Sequence, residues 1–141
     1  MSPVLVSAGP QGSTIDLPGA LHLDTAMPGL PGYADFTLTA LDDIGVLFAL
    51  RSEPDGADPL RLFVVTPGAF FPDYAPVIRA EVLASIGADD HEPVPLVVVR
   101  PSDGANPPTA NLLAPLVVDP RTGRAVQAVL DGDWPLRAPL G

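Results

Sequence analysis

Short segments that alternate between apolar and polar residues occupy much of the chain. Residues 36–41 follow this alternation, and residues 44–50 and 60–66 are runs rich in β-branched and aromatic residues. Alternation with a period of two is typical of a half-buried strand, and a run that is apolar on nearly both faces is typical of a strand inside a sandwich or barrel. The same patterns predict further short strands at residues 14–17, 20–23, 94–100, 112–118 and 124–130.

One passage has the period of a helix instead. Ile78, Val82 and Ile86 recur at every fourth position between Pro76 and Gly87. Pro is favoured in the first turn of a helix, Gly just past its end, and apolar residues at this spacing form one buried face. We therefore predict one short helix near residues 76–86, packed on the sheet.

The frequency of Pro and Gly limits the length of every element. With 19 Pro and 13 Gly among 141 residues, the chain is expected to be mainly β, with short strands joined by tight turns. The length and the 47% hydrophobic content fit one domain with a self-supporting core. Residues 1–11 carry little pattern, so we predict a loosely ordered N-terminus there and a single domain over residues 12–141.

Two prolines define the predicted structure near the end of the chain. Pro120 suits the first corner of a turn and Gly123 suits a left-handed position, so residues 119–123 predict a hairpin between the flanking strands. Pro115 lies inside the first of these strands and cannot donate a ladder hydrogen bond. We therefore predict a free edge or a bulge at Pro115, which is a candidate docking surface.

The charge restricts the class of ligand. The formal net charge is −10, and only seven residues are Lys or Arg. Nucleic-acid binding depends on such cations, so nucleic acid is not expected as a direct ligand, and an anionic membrane surface is disfavoured for the same reason. The acidity favours a basic protein partner; the alternative is that it serves only solubility.

The sequence also indicates where the protein works. No apolar run approaches the roughly 18 to 20 residues needed to cross a bilayer. The first seven residues lack the basic region and the long apolar stretch of a signal peptide. We therefore expect a soluble protein of the cytoplasm.

Few residues are suited to catalysis or metal binding. There is no Cys, and the two histidines, His22 and His91, lack the spacing of a zinc site. Residues 89–92 surround His91 with carboxylates but lack the pattern of a calcium loop, so we interpret them as a solvated loop. No nucleophile-elbow or phosphate-loop motif occurs. We expect a non-enzymatic protein with no catalytic residue, no metal and no cofactor.

Aromatic and turn residues supply the remaining candidates. Residues 70–74 (FFPDY) place three aromatic rings at a strand-to-helix junction, and large rings on a rigid backbone are favoured at the centres of protein interfaces. The alternative is that Phe70 and Tyr74 fill the core under the helix. Asn111 is a candidate for reading a partner's backbone, or else it bonds its own turn. Trp134 is interpreted as a lid on the mouth of a barrel.

Taken together, these segments resemble the FliW family. The resemblance rests on residues 27–33 (MPGLPGY), 70–74 (FFPDY) and 109–118 (TANLLAPLVV), and on the hairpin at residues 119–130 (DPRTGRAVQAVL). It extends from about residue 12 to residue 140. It implies a small antiparallel β-barrel with one short helix.

The resemblance also implies a function. Members of the family are flagellar assembly factors that bind and antagonise the translational regulator CsrA and also bind flagellin, so that flagellin synthesis is coupled to flagellin export. Two alternatives remain: an export chaperone that binds only flagellin, and a small β-barrel protein that binds a ligand. We expect a monomer whose partner-binding residues are Phe71, Asp73, Tyr74 and Asn111.

Overall fold

The fold is built from short strands and two short helical segments. The computed structural model describes residues 3–7 and 14–140. Within them the strands are β1 (Val4–Ser7), β2 (Thr14–Leu17), β3 (Ala20–Leu23), β4 (Asp35–Ala40), β5 (Leu47–Ser52), β6 (Leu60–Val65), β7 (Val94–Arg100), β8 (Thr109–Ala110), β9 (Leu116–Val118), β10 (Arg124–Gln127) and β11 (Ala138–Pro139). A 3-10 turn spans Pro67–Ala69 and the helix α1 spans Ala80–Ser85.

Seven of the described strands close into a barrel. They pair in the order β7, β6, β5, β4, β3, β10 and β9, and β9 returns to pair with β7. The prediction of a small, mainly β-barrel with one short α-helix is confirmed. One pair differs from the antiparallel pattern, because β10 runs parallel to β3, with Arg124 opposite His22. A ring whose neighbours all alternate in direction needs an even number of strands, so a ring of seven must contain a parallel pair.

Alternate residues of the barrel strands point inward and fill the interior. Phe48 and Leu50 on β5 and Val64 on β6 are fully buried, as are Leu96 on β7 and Leu116 on β9. The intervening residues face outward, which is the arrangement that the period-two pattern predicts. Side chains therefore occupy the centre of the barrel.

The N-terminal strand belongs to the fold. β1 pairs with β2 in a separate two-stranded sheet, and Val6 and Leu17 from this sheet are fully buried in the barrel core. The prediction of a loosely ordered terminus is therefore wrong for Val4–Ser7. Its apolar residues gain burial from strands distant in the sequence, which a local pattern does not reveal. The predicted boundary at residue 12 lies outside the described residues.

Two apolar clusters cover the outside of the barrel. One lies over β9 and β10 and contains Val117, Ala128 and residues of α1. The helix begins later than predicted, at Ala80, because the preceding Arg79 is extended and forms an ion pair with Asp131. The other cluster, here called the outer cluster, covers β6, β7 and β8. Its buried members are Val65, Val97, Val99, Ala110, Leu112 and Ala138.

Candidate partner-binding surface

The aromatic segment 70–74 folds back over the outer cluster. The 3-10 turn after β6 reverses the chain, and the Phe71 N–H donates to the Pro67 carbonyl at 2.8 Å. Phe71 and Tyr74 are half-buried against the outer cluster, whereas Phe70 is 41% exposed. The expectation that Phe70 fills the core under the helix is therefore wrong. The rings lie over β6 to β8, while α1 packs on a different part of the barrel.

Tyr74 is held on both its hydroxyl and its ring. The hydroxyl donates to the Leu112 carbonyl oxygen at 2.7 Å, and the ring meets Trp134 edge to face with centroids 4.7 Å apart. Burial raises the pKa of the phenol to about 12. Trp134 thus covers Tyr74 on the outer cluster, and its predicted place at the barrel mouth is wrong.

Asn111 bonds its own turn. Its side-chain oxygen accepts the N–H groups of Leu113 and Ala114 at 3.1 and 3.0 Å. Of the two roles open to Asn111 in the sequence, the structure contains the local one, because an Asn side chain readily imitates a backbone turn. Its backbone N–H donates to Val98 on β7 at 3.0 Å.

The predicted free edge at Pro115 is absent from the described structure. β9 pairs with β7 on one side and β10 on the other. The Pro115 carbonyl accepts the Ala128 N–H at 3.0 Å, and the Leu113 carbonyl accepts the Leu130 N–H at 2.8 Å. Closure of the barrel removes the free edge, so that part of the prediction is wrong, and Pro115 lies directly before β9.

Three of the four predicted site residues nevertheless converge. Tyr74 is bonded to Leu112, next to Asn111, and Phe71 accepts the Tyr74 N–H through its carbonyl at 3.0 Å. Asp73 is exposed and forms no ion pair among the described residues. We call the surface formed by residues 70–77, 111–113 and 129–136 the corner surface.

The sequence patterns did not identify the exposed aliphatic residues of the corner surface. Val77 is 83% exposed, and Val129 and Leu136 are exposed as well. Val77 lies within the predicted helix and Val129 within a predicted strand, each followed directly by another aliphatic residue, so the sequence does not distinguish them from core positions. The Leu112 N–H bonds to the Pro135 carbonyl at 3.0 Å, which brings the segment carrying Leu136 to the same surface.

The acidic loop around His91 is an ionic network. The His91 ring is hydrogen-bonded to the Asp119 carboxylate at 2.7 Å and to the Asp90 carboxylate at 2.6 Å, and Arg121 donates to Asp90 at 2.8 Å. These bonds raise the pKa of His91. Within residues 3–7 and 14–140 no group of three or more His, Asp or Glu side chains is placed to hold a metal. The network joins the loop before β7 to the hairpin turn.

An open groove of about 620 Å³ lies on the outer face of β3, β4 and β5. His22 spans part of it, bonded to Asp35 at 2.7 Å and to Asp24 at 3.0 Å. Thr37, Thr39 and Arg51 line the groove and are exposed. A small-molecule site is usually concave, mostly apolar and largely enclosed. The openness of this groove, whose lining is both polar and apolar, and the filled interior of the barrel both disfavour the ligand-binding alternative.

The protein is a small closed barrel with a filled interior, and its candidate contact residues lie on the outside. It therefore belongs to the class of β-barrel proteins that can bind partners through their outer surface. The family model described as "FliW protein" matches residues 11–140. The chain belongs to the FliW family.

Individual relatives agree with this membership. The flagellar assembly factor FliW of Heliobacterium modesticaldum is 33% identical over 120 residues, covering 83% of this chain and 77% of the relative. The protein of the same name from Syntrophotalea carbinolica is 37% identical over 118 residues, covering 79% of each chain. The fold also matches a crystal structure of the flagellar assembly factor FliW, with a TM-score of 0.72, 17% identity and coverage of 99% of this chain and 96% of that one.

No helix in the part of the chain that the structure describes is long and apolar enough to cross a membrane.

Proposed function

We infer that the protein is a cytoplasmic flagellar assembly factor that works by exchanging protein partners. It binds and antagonises CsrA, and it binds flagellin, so that free flagellin draws it away from CsrA. The observation that supports this function is the family membership over residues 11–140, together with relatives that are named flagellar assembly factors. The protein acts as a monomer and needs no cofactor.

Partner exchange of this kind needs no bond chemistry. Two partners that compete for one protein shift its occupancy by mass action, according to their concentrations and dissociation constants. The net charge of −10 adds a second effect, because an acidic protein bound beside an RNA-binding surface opposes the approach of phosphates. Binding alone therefore couples the amount of free flagellin to repression by CsrA.

We assign partner contact to the corner surface. Asp73 is one of three exposed carboxylates there, with Asp131 and Asp133, and Asp131 is paired with Arg79. We assign Asp73 the contact with a basic segment of CsrA or flagellin, since it adjoins the aromatic rings. Phe71, Tyr74 and Asn111 support the surface from below through the packing and hydrogen bonds described above.

Co-purification with CsrA and flagellin from the same genome tests the proposed function. We expect each partner to be captured separately, and added flagellin to displace CsrA in proportion to its concentration. Capture of flagellin without CsrA would favour the flagellin-only chaperone instead. Capture of neither partner by the folded protein would refute the proposed function.

Charge reversal at Asp73 tests the assigned surface. Asp73→Lys should weaken capture of a basic partner by about tenfold, because it places like charges together, while the free energy of unfolding stays nearly constant. Asp55→Lys is the matched control, since Asp55 is an exposed carboxylate in the β5–β6 loop. An equal loss in both variants would indicate a general charge effect and remove the assignment.

Substitution of Tyr74 distinguishes a residue that stabilises the corner surface from one that contacts the partner directly. Tyr74→Phe removes the hydroxyl that bonds to the Leu112 carbonyl and should lower the free energy of unfolding by about 1 kcal/mol. Partner capture at a temperature where the variant is folded should stay unchanged. Weaker capture without a stability loss would make the hydroxyl a direct contact, contrary to its support role.

A further inference from the structure

We propose that a second contact surface lies where the β4–β5 turn meets strand β1, and that it receives a basic amphipathic segment of a protein partner. We call it the end patch, and its apolar members are Leu5, Leu41 and Ile44. The proposal rests on the proposed function only in that the protein works by binding other proteins. It concerns a different group of residues from the corner surface.

The turn that carries the patch is held rigidly. The Asp42 carboxylate accepts three backbone N–H groups, those of Gly45, Val46 and Leu47, at 3.1, 3.2 and 3.0 Å. The Leu41 N–H donates to the Leu47 carbonyl at 2.9 Å and closes the turn. The backbone that carries Leu41 and Ile44 is thus ordered before any partner arrives, which reduces the entropy lost on binding.

Strand β1 is fastened directly to this turn. The Ser7 N–H donates to the Gly45 carbonyl at 2.7 Å. Gly45 has a φ of 77°, and a Cβ atom there would lie 2.8 Å from the Ser7 nitrogen and 3.1 Å from the Leu5 oxygen. Only a glycine allows this approach, which brings the backbone of β1 at Leu5 against Gly45, the residue after Ile44.

The three apolar side chains remain exposed despite this packing. Ile44 is 65% exposed, Leu5 is 51% exposed and Leu41 is 41% exposed. A single exposed aliphatic residue is ordinary, whereas several on adjoining rigid segments form the kind of patch that marks an interaction site. The patch therefore has the apolar centre that an interface requires.

The charges around the patch have one sign. Asp16 lies opposite Leu5 in the β1–β2 register, and Asp42 and Asp43 immediately precede Ile44. Residues 3–7, 14–17 and 41–47 contain no Arg, Lys or His, and the adjoining residues 66–70 carry no charge. An apolar centre with an acidic rim is complementary to a basic amphipathic segment.

The arginines of β5 and β6 lie at the other end of these strands, where the loop also carries Glu53, Asp55 and Asp58. Arg51 and Arg61 face each other across β5 and β6, whereas Leu47 and Val65 pair at the end beside the turn. The acidic end patch would repel a second copy of itself and an anionic membrane alike. A basic protein segment is the occupant that satisfies both the apolar centre and the rim.

A peptide titration tests the patch without a named partner. The probe is a fluorescent amphipathic helix of Leu and Lys about 14 residues long, roughly four turns, and the reference is the same design with Glu in place of Lys. We expect the Lys probe alone to bind, with an affinity that falls as salt rises. Equal binding of both probes would overturn the charge argument.

Variants locate the binding. The double variant Leu41→Ser with Ile44→Ser should lower the affinity for the Lys probe by at least about tenfold. Asp43→Asn should lower it by about two- to threefold. Thr37→Ser is the control, because Thr37 is exposed on the groove of β3 to β5, outside both the end patch and the corner surface. A loss as large in the control, or unchanged binding in the double variant, would overturn the proposal.

The natural partners and the oligomeric state complete the test. The double variant should lose capture of CsrA or flagellin by about the same factor by which it loses the probe. Thr37→Ser should leave both probe binding and partner capture unchanged. If the unmodified protein captures neither partner but the double variant still loses the probe, the proposed function fails and the patch stands. If sedimentation velocity shows that the unmodified protein is a dimer and the double variant a monomer, the patch binds a second copy of the chain. That result would overturn the proposal.

Discussion

At the scale of single residues, two buried hydroxyl groups differ in whether they are hydrogen-bonded. Ser52 donates to the Asp35 carbonyl oxygen at 2.7 Å. The Thr66 hydroxyl is equally buried and has no hydrogen-bond partner among the described residues. A buried polar group without a partner keeps its full desolvation cost, whereas a bonded one recovers it.

This difference predicts opposite effects of removing each hydroxyl. Thr66→Val should raise the free energy of unfolding by about 1 kcal/mol, and Ser52→Ala should lower it by about 1 kcal/mol. Chemical denaturation measured by circular dichroism gives both values. A loss of stability in Thr66→Val would mean that its hydroxyl is bonded in solution.

The aromatic segment shows what single residues reveal before folding. The sequence identified residues 70–74 as exceptional, but it did not distinguish exposed Phe70 from half-buried Phe71. The two are chemically identical neighbours. Their environments differ because the 3-10 turn after β6 directs one toward β7 and β8 and the other toward solvent.

At the scale of elements, the β9–β10 hairpin depends on one glycine. Gly123 has a φ of 82°, and a Cβ atom there would lie 2.4 Å from the Ala20 carbonyl oxygen on β3. This residue closes the turn and also lets the hairpin approach β3 for the parallel pairing. A side chain at this position would disturb both.

Gly123→Ala should therefore lower the free energy of unfolding by more than about 2 kcal/mol, since it combines backbone strain with a clash against backbone. Gly104→Ala is the matched control. Its φ of 90° is similar, but no atom lies within 4 Å of an added Cβ. We expect about 1 kcal/mol there. Equal losses would show that strain alone, without the contact to β3, limits this site.

The contact between the His91 loop and the same hairpin makes stability depend on pH. The hydrogen bonds to Asp119 and then Asp90 raise the pKa of His91 above its ordinary 6.5. Burial tends to raise the pKa of Asp119, but the hydrogen bonds from the Arg121 N–H, His91 and Thr122 outweigh it and lower the pKa below 3.8.

These shifts act at opposite ends of the pH range. The stability from His91 is complete below its unfolded pKa and is lost as pH rises through the raised folded value. The stability from Asp119 is complete above its unfolded pKa and is lost as pH falls through the lowered folded value. The contribution of this pair is therefore greatest between about pH 4 and pH 6.5.

His91→Gln tests the predicted loss of stability as pH rises. The variant should lose less thermal stability than the unmodified protein between about pH 6 and pH 8, because Gln has no proton to release. His22→Gln is the necessary companion, since Asp35 and then Asp24 also raise the pKa of His22. If only His22→Gln reduces the pH dependence of stability, that dependence arises at the β3–β4 surface and not at His91.

At the scale of the whole molecule, the β1–β2 sheet closes onto the barrel core. Val6 is fully buried there, although it stands only two residues from the start of β1. Val6→Ala should lower the free energy of unfolding by about 2 kcal/mol through lost burial and a residual cavity. Leu5→Ala, at the adjacent exposed position, should change it by less than about 0.5 kcal/mol. Similar values for both would show that β1 is not part of the cooperative core.

The sequence by itself determined the elements whose causes are local. Alternation placed most barrel strands within a few residues of their observed bounds, and Pro120 with Gly123 placed the last hairpin, because side-chain period and turn geometry act between near neighbours. The composition, rich in Pro and Gly, was sufficient to predict a mainly β protein. The resemblance to the FliW family supplied the barrel.

Tertiary structure decided the features that depend on distant partners. The parallel pairing of Arg124 with His22 and the bond from Tyr74 to Leu112 join segments far apart in the chain, and they determine which edges are covered and which rings are buried. Closure of the ring covered the edge predicted at Pro115 and left Ile44 exposed on a rigid turn. The local period indicates which residues face the barrel interior, but burial on the outside of the barrel depends on which distant segments cover it.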